Sequence, residues 1–418
     1  MSQDKVLITN EVQLFFEEFL KKLQIYNFAI NVEPGSNFGD NFSGTIAKAK
    51  VHGDDRQGNK ISQSFIIKSA AQNEMYRKLL LLDFRYSREI YMYKTVLYEY
   101  NLLQTELNIK IPFKSYPKYY DSSLETLNEA LVLEDMKQRE FELYNGQQLL
   151  NFEHAVMILR EYAKLHALSF AMRLHKPNVF KRLTEHMEEG FFEIFEKNHK
   201  NNGYWKQGKK ILLTIDEVKE KSIYEKFEKF VTNMSDLIQN LQKTNLMDAH
   251  GVITHGDCWL KNYMFKYNNF LGSRTPVDVC ILDWQLSHYG SPALDLAYFI
   301  FSCTEKELRD KYYAILIEEY YSMFSKTLTK MGGNPQQQFS FQTLQEHLKK
   351  YSVFGLYAAL MSLLAINNEN SEMSDVGDIS EAGDLVDRIK KNTEDEYLYN
   401  KRMKDVILDI ERLGYDFY

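Results

Sequence analysis

The residues of this 418-residue chain that invite chemistry cluster in its second half. His255-Gly256-Asp257-Cys258-Trp259-Leu260-Lys261-Asn262 is followed, across 263–280, by Ile281-Leu282-Asp283-Trp284-Gln285. Moving a phosphoryl group onto an alcohol requires a carboxylate that orients the attacking hydroxyl and takes its proton. It also requires oxygen ligands for a magnesium ion that bridges the nucleotide phosphates. Asp257, Asn262 and Asp283 supply that set. An Asp and an Asn five positions apart on a turning loop can face one site, and the apolar run Val279-Cys280-Ile281-Leu282 reads as a buried strand that delivers Asp283 at its end. An isolated His-Gly-Asp reads first as a turn whose Asp accepts backbone hydrogen bonds, so the reading depends on what the rest of the chain provides.

The first half provides a cation and a partner for it. Lys68 ends an apolar run and Glu89 sits on the helical pattern that follows, the arrangement in which an ion pair holds a lysine against nucleotide phosphates. Taken singly, each reads as a solvated surface charge. Ahead of them Gly35-Ser36-Asn37-Phe38-Gly39-Asp40-Asn41-Phe42-Ser43-Gly44 leads into the first predicted strand, and its glycines would let backbone approach phosphate closely. The spacing is not GxGxxG.

These residues need elements to position them. From Asn10, read as an N-cap, Val12, Phe15, Phe16, Phe19, Leu20 and Leu23 follow helical spacing. Segments 42–51 and 61–68 read as strands of a hairpin joined by a Gly/Asp turn, followed by a helix over 84–100 and a short strand over 130–135. Beyond Asp135 the pattern becomes long helices at 152–174, 223–242, 306–328 and 342–364, interrupted by a compact stretch over 252–283. The acidic run at 368–384 reads as a mobile loop. A small strand-rich lobe (1–135) and a larger helical lobe (136–418) would leave a cleft between them, and no internal repeat interrupts the pattern.

Composition narrows the function classes. Hydrophobic residues make up 44% and charged residues 26%, which suits a packed globular chain, and the length suits two lobes rather than one core. A net charge of −7 opposes a nucleic-acid partner. No run of about 18–20 uninterrupted apolar residues predicts a membrane span, and the acidic N-terminus lacks the features of a secretory leader. Cys258, Cys280 and Cys303 lack metal spacing and read as reduced thiols of a cytoplasmic protein. The 28 Tyr and 27 Phe read as core packing, with an aromatic-lined pocket for a large apolar ligand as the alternative. No feature specifies an oligomer.

Taken together, GDNFSG, Lys68, the SREIYMY segment with Glu89, LVLEDM, AKLHALS, HGDCWLKNYMF, ILDWQ and SPALDLAYF resemble the ecdysteroid kinase-like (CHK kinase-like) family, related to choline and aminoglycoside kinases. The resemblance spans nearly the whole chain. It implies an α+β, bilobal protein-kinase-like fold with a small antiparallel-sheet lobe and a larger, mainly helical lobe. It also implies ATP and Mg2+ as cofactors and a small-molecule alcohol, a steroid among the candidates, as acceptor.

By that resemblance Asp257 is the catalytic base, Asn262 and Asp283 bind magnesium, and Lys68 contacts phosphate with Glu89 as its partner. Gly39, Asp40, Asn41, Phe42 and Ser43 cover the nucleotide, and Glu134, Asp135 and Met136 form the hinge whose backbone reads adenine. His255 and Asp295 fall on motif positions as braces of the catalytic loop, and His166 reads as a hydrogen-bonded core histidine. Lys261 reads as solvated or as a phosphate contact. Asp-Trp-Gln in place of Asp-Phe-Gly argues against a protein kinase. Two alternatives stay open: a kinase for choline, an aminoglycoside or another polar cation, and a non-catalytic pseudokinase.

Overall fold

Alternation along the N-terminal strands decides where the cleft lies, because successive side chains of a strand point to opposite faces. The computed structural model describes residues 7–35, 43–144, 148–187, 204–246, 249–270, 273–367 and 393–417. Strands β1 (Tyr26–Pro34), β2 (Gly44–Asp54), β3 (Lys60–Ala70), β4 (Tyr119–Ser123) and β5 (Ala130–Glu134) form one antiparallel sheet in the order β1-β2-β3-β5-β4. Ala47, Ala49, Val51, Phe65, Ile67, Ala130 and Val132 lie on one face and pack against Val12, Phe16, Phe19 and Leu20 of helix α1 (Asn10–Lys22). Phe16, Phe19, Phe65 and Tyr120 meet there largely edge to face, with ring centroids 5.3–5.9 Å apart. Ile46, Ile66 and Lys68 point the other way, into the cleft.

The N-cap of α1 is Thr9 rather than Asn10. The Thr9 backbone is extended and its hydroxyl accepts from Val12 N at 3.2 Å, while Asn10 is already helical. The predicted 84–100 helix is three pieces: α3 (Leu82–Tyr91), a π-helical turn (Met92–Val96) and α4 (Leu97–Glu106), preceded by a short α2 (Glu74–Leu80). Strands β1 and β4 are the two outer strands, and β4 is half-exposed throughout with no alternation. In β1, by contrast, Phe28, Ile30 and Val32 alternate with exposed Ala29 and Asn31 and pack against the α1-side core, a period-2 signal that the sequence reading passed over.

The second lobe is built on α5 (Phe152–His175), capped by Asn151, with α6 (Pro177–Glu185), α7 (Tyr204–Leu212) and α8 (Lys221–Leu246) following. Next come α9 (Pro292–Cys303), α10 (Lys306–Lys330), the single turn α11 (Pro335–Gln338), α12 (Phe341–Asn367) and α13 (Thr393–Arg412). Every residue of α9 is buried, so it is the axis on which this lobe packs. The 335–366 stretch is long and apolar enough to cross a membrane by composition, yet 78% of its apolar window is buried in this lobe. The compact 252–283 region contributes strands to two small sheets: β7 (Val252–Ile253) pairs with β10 (Tyr289–Gly290), and β8 (Tyr263–Phe270) and β9 (Ser273–Ile281) join β6 (Phe141–Leu143). The fold is thus α+β and bilobal, as expected. The 368–384 run and the 36–42 part of the glycine loop lie outside the described residues.

Candidate active site

The ends of β3, α3, β7 and β9 converge on one cleft between the lobes. Lys68 near the end of β3 is buried, not a surface charge: its Nζ lies 2.7 Å from Glu89 Oε2 of α3 and 3.0 Å from Asp283 Oδ1 just past β9. One ammonium therefore joins carboxylates from both lobes. Burial, reinforced by the Asp283 charge, raises the Glu89 carboxyl to about 7 against the opposing pull of Lys68. Burial opposes the Lys68 charge as well, but the two carboxylates outweigh it and push the ammonium pKa up.

Asp257 and Asn262 lie on the loop between β7 and β8, whose last turn, Leu260–Asn262, is a 3-10 turn. Asn262 Nδ2 donates to both Asp257 O and Asp257 Oδ2, each at 2.9 Å. That fixes the amide orientation and leaves Asn262 Oδ1 as the remaining coordinating atom. Tyr298 of α9 donates its hydroxyl to Asp257 Oδ1 at 3.2 Å. Burial and then the Asp283 charge raise the Asp257 carboxyl, opposed by His255, Arg85 and Asn262.

Asp283 has a φ of +60°, in the left-handed region that Asp and Asn tolerate better than most residues. Its buried Oδ1 meets the Lys68 ammonium as an ion pair but has no well-directed hydrogen-bond donor among the described residues. Asn262 Oδ1 and Asp283 thus present oxygen atoms that suit a hard cation such as magnesium. Among the described residues no group of three or more His, Cys, Asp or Glu forms a self-contained cage, so the donor set fits an ion that shares its coordination with a ligand rather than one held by protein alone.

Behind these residues lies a brace. Asp295 Oδ2 accepts from His255 N at 2.7 Å, and Oδ1 accepts from Gly256 N at 2.9 Å and from the Cys258 thiol at 3.2 Å. Asp295 Oδ2 also lies 3.1 Å from His166 Nε2, while His166 Nδ1 is 2.9 Å from the Tyr320 hydroxyl. Burial would raise the Asp295 carboxyl, but His166, His255 and the backbone donors outweigh it and hold it near 2. His255 Nε2 in turn donates to Leu282 O at 2.8 Å, tying the Asp257 loop to the residue before Asp283. Gly256 has φ +84°, and a Cβ there would fall 2.0 Å from Leu286 O, so the central residue of His-Gly-Asp must be glycine. Gly44 is likewise required, because a Cβ would fall 1.9 Å from Ser69 O; its role is strand packing rather than room for phosphate.

At the hinge, Asp135 is fully engaged in holding the chain. Its Oδ2 accepts from Ser64 at 2.6 Å and pairs with Lys48 at 3.0 Å, and its Oδ1 accepts from Lys137 N. What the hinge offers a ligand is backbone, beside an apolar slot made by Ile46, Ile66 and Leu133 from above and Leu143, Met264 and Leu282 from below. Ser43, Glu134 and Met136 line the same cleft, whereas Gly39, Asp40, Asn41 and Phe42 lie outside the described residues. Half-buried Lys261 is at the cleft beside Trp259. Sequence reading missed Arg85, Tyr93 and Tyr298. Arg85 precedes Glu89 by one helical turn and Tyr298 follows Asp295 by three residues, so helical spacing from residues already singled out would have found both.

A small sheet carrying a buried Lys–Glu pair, set over a helical lobe that presents Asp257, Asn262 and Asp283, defines the kinase-like class. The chain belongs to the ecdysteroid kinase-like family, whose sequence model matches residues 38–333. Among solved structures it is similar to a variant of aminoglycoside 2'-phosphotransferase IIIa in complex with GDP, at 13% identity and a TM-score of 0.35, with 94% of this chain and 97% of that one covered. No curated protein matches the chain.

Proposed function

We propose that this chain transfers the terminal phosphoryl group of ATP to the hydroxyl of a small molecule, with an ecdysteroid or another apolar alcohol as acceptor, in hormone inactivation or detoxification. Family membership supports small-molecule kinase activity. The observation that carries the reaction is the convergence of Lys68, Glu89 and Asp283 from two lobes on the cleft that also holds Asp257 and Asn262.

In this reading 1–135 is the nucleotide-binding lobe and 136–418 the catalytic and acceptor-binding lobe. The apolar slot takes the adenine against the backbone of Glu134–Met136, and Gly39, Asp40, Asn41, Phe42 and Ser43 serve as further nucleotide contacts. Lys68, positioned by Glu89, faces the phosphates. Magnesium held by Asn262 and Asp283 would neutralise charge on the nucleotide phosphates. Asp257, held by Asn262 and Tyr298, orients the acceptor hydroxyl and takes its proton. As the acceptor oxygen bonds to phosphorus, the bond from phosphorus to the departing ADP oxygen breaks. Phosphorylation adds about −1.5 to −2 charges and traps a membrane-permeant alcohol in water. The free, buried Cys258, Cys280 and Cys303 support a reducing, cytoplasmic setting.

The test is incubation of purified protein with ATP, magnesium and a panel of steroid, xenobiotic and polar alcohols, with mass spectrometry of the acceptors. Phosphate on an apolar alcohol is the expected result. Phosphate only on cationic polar alcohols would replace the acceptor class, and nucleotide binding without transfer to any acceptor would make the chain a non-catalytic binding module.

A further inference from the structure

Arg85 stands out in the cleft as a cation with no anion assigned to it. It lies on α3 one turn before Glu89, so the two side chains share a helix face, and it lines the cleft together with Lys68, Glu89, Asp257 and Asp283. Its Nε donates to Leu80 O at 2.8 Å, at the joint where Leu81 turns left-handed between α2 and α3. That tether orients the guanidinium, and among the described residues none of its other four N–H groups has a hydrogen-bond acceptor. Neighbouring arginines are engaged: Arg77 pairs with Glu129 at 2.5 Å and with Asp83, while Arg88 is buried and donates to Ser287 O at 3.0 Å. Arg85 has no carboxylate within ion-pair distance among the described residues.

The charge balance of the cleft gives this cation a task. Lys68 is already shared between Glu89 and Asp283, so its charge is spent within the protein. The outer part of a phosphate tail then needs a second positive group, and Arg85 is close enough to act on the charge of Asp257, at the end of the cleft where an acceptor hydroxyl would be activated.

We propose that Arg85 is a further catalytic residue that contacts the transferring phosphoryl group, binding the terminal phosphate of the nucleotide and following it toward the acceptor oxygen. The inference rests on the kinase reading. Arg85 stays protonated throughout, and the acceptor proton still passes to Asp257. A guanidinium there stabilises the equatorial oxygens as charge shifts between the departing and incoming oxygens, and it recognises the terminal phosphate by bidentate geometry that a lysine does not reproduce.

Calorimetry of the full chain with magnesium, comparing ADP with a non-hydrolysable ATP analogue, separates this role from a structural one. Arg85→Ala should weaken analogue binding by about 10-fold or more and leave ADP binding nearly unchanged, as expected for one charge-assisted contact to the terminal phosphate. Turnover should fall by about 10²-fold, as for loss of one transition-state donor. Arg85→Lys should restore part of both losses, and it keeps the test open if Arg85→Ala does not fold, as judged by its melting temperature. Equal effects of folded variants on the two nucleotides, or none on either, would overturn the assignment. If the wild-type chain binds neither nucleotide, the kinase reading fails; if it binds both and transfers phosphate while the Arg85 variants discriminate as it does, only the role of Arg85 falls.

Discussion

Two clusters of buried charge lie on either side of the Asp257 loop, and they are balanced in opposite ways. In the brace, Asp295 accepts from two backbone N–H groups and the Cys258 thiol and contacts the His166 ring; its carboxyl is held near 2. In the cleft, Lys68 is the single ammonium joining Glu89 and Asp283, Asp257 lies near them, and burial raises both the Glu89 and Asp257 carboxyls. A carboxylate whose lone pairs are all met by protein donors is built to stay still. A cluster with surplus negative charge and a poorly met oxygen is built to receive something. The same residue type is thus fully satisfied in one cluster and poorly satisfied in the other, and satisfaction of hydrogen bonds distinguishes the two.

The contrast can be broken most severely at Asp283. Asp283→Asn is expected to lower turnover by roughly 10⁴-fold or more, since an amide is a poorer magnesium ligand beside nucleotide charge, while denaturant unfolding stays near that of wild type. Near-normal magnesium-dependent turnover would remove Asp283 from the receiving cluster. Next is Asp257→Asn, expected to slow transfer by about 10²–10⁴-fold with nucleotide and magnesium affinity retained. A loss of nucleotide affinity in calorimetry as large as that of Asp283→Asn would assign Asp257 to the metal site instead.

On the other side, Asp295→Ala should cost about 3–5 kcal/mol of stability, because it strands two backbone N–H groups and the buried His166. An unchanged denaturation midpoint with lost activity would move Asp295 into the chemistry and dissolve the distinction. The smallest effect is the pH response of stability. Asp295, held near 2 against an ordinary 3.8, contributes stability above about pH 4 that is lost as pH falls toward 2, on the order of 2 kcal/mol. Glu89, raised to about 7 from 4.5, acts in the opposite sense: the folded state holds the extra proton, so its contribution declines as pH rises from 4.5 to 7. Glu89→Gln should flatten the neutral side of the stability profile and leave the acid limb intact. A variant that changed the acid limb instead would reverse the assignment of the two clusters.

Much of this arrangement was legible because the motifs fix both residue type and order. The Lys68–Glu89 pair, the placing of Asp257 and Asn262 at one site, the bracing positions of His255 and Asp295 and the hydrogen-bonded core position of His166 follow from spacing combined with family resemblance, and the long helices follow from strong periodicity; the direct Asp257–Asn262 hydrogen bond and the His166–Asp295 contact do not. What escaped was set by tertiary context. The edge strand β4 carries too little apolar alternation to announce itself, and the π-helical turn at Met92–Val96 leaves no period of its own; the Phe28, Ile30 and Val32 alternation of β1, by contrast, was legible and was passed over. Burial of Lys68 could not be read from a charged residue at a strand end, because it depends on a carboxylate contributed from far along the chain. Arg85 and Tyr298 were hidden among ordinary helical residues until the cleft showed which faces they occupy.

The left-handed backbone at Asp283 bears on how such a gene can decay. Residues that sit comfortably at that angle are few, chiefly Gly, Asn and Asp. Asn and Gly are each one base change from Asp, and neither carries the charge. Inactivating alleles at this codon that keep the polypeptide well folded should therefore be those two, whereas most other replacements would add conformational strain to the loss of charge. A duplicated copy released from selection could lose its chemistry there and still be produced at full abundance, with its fold intact and its nucleotide affinity reduced.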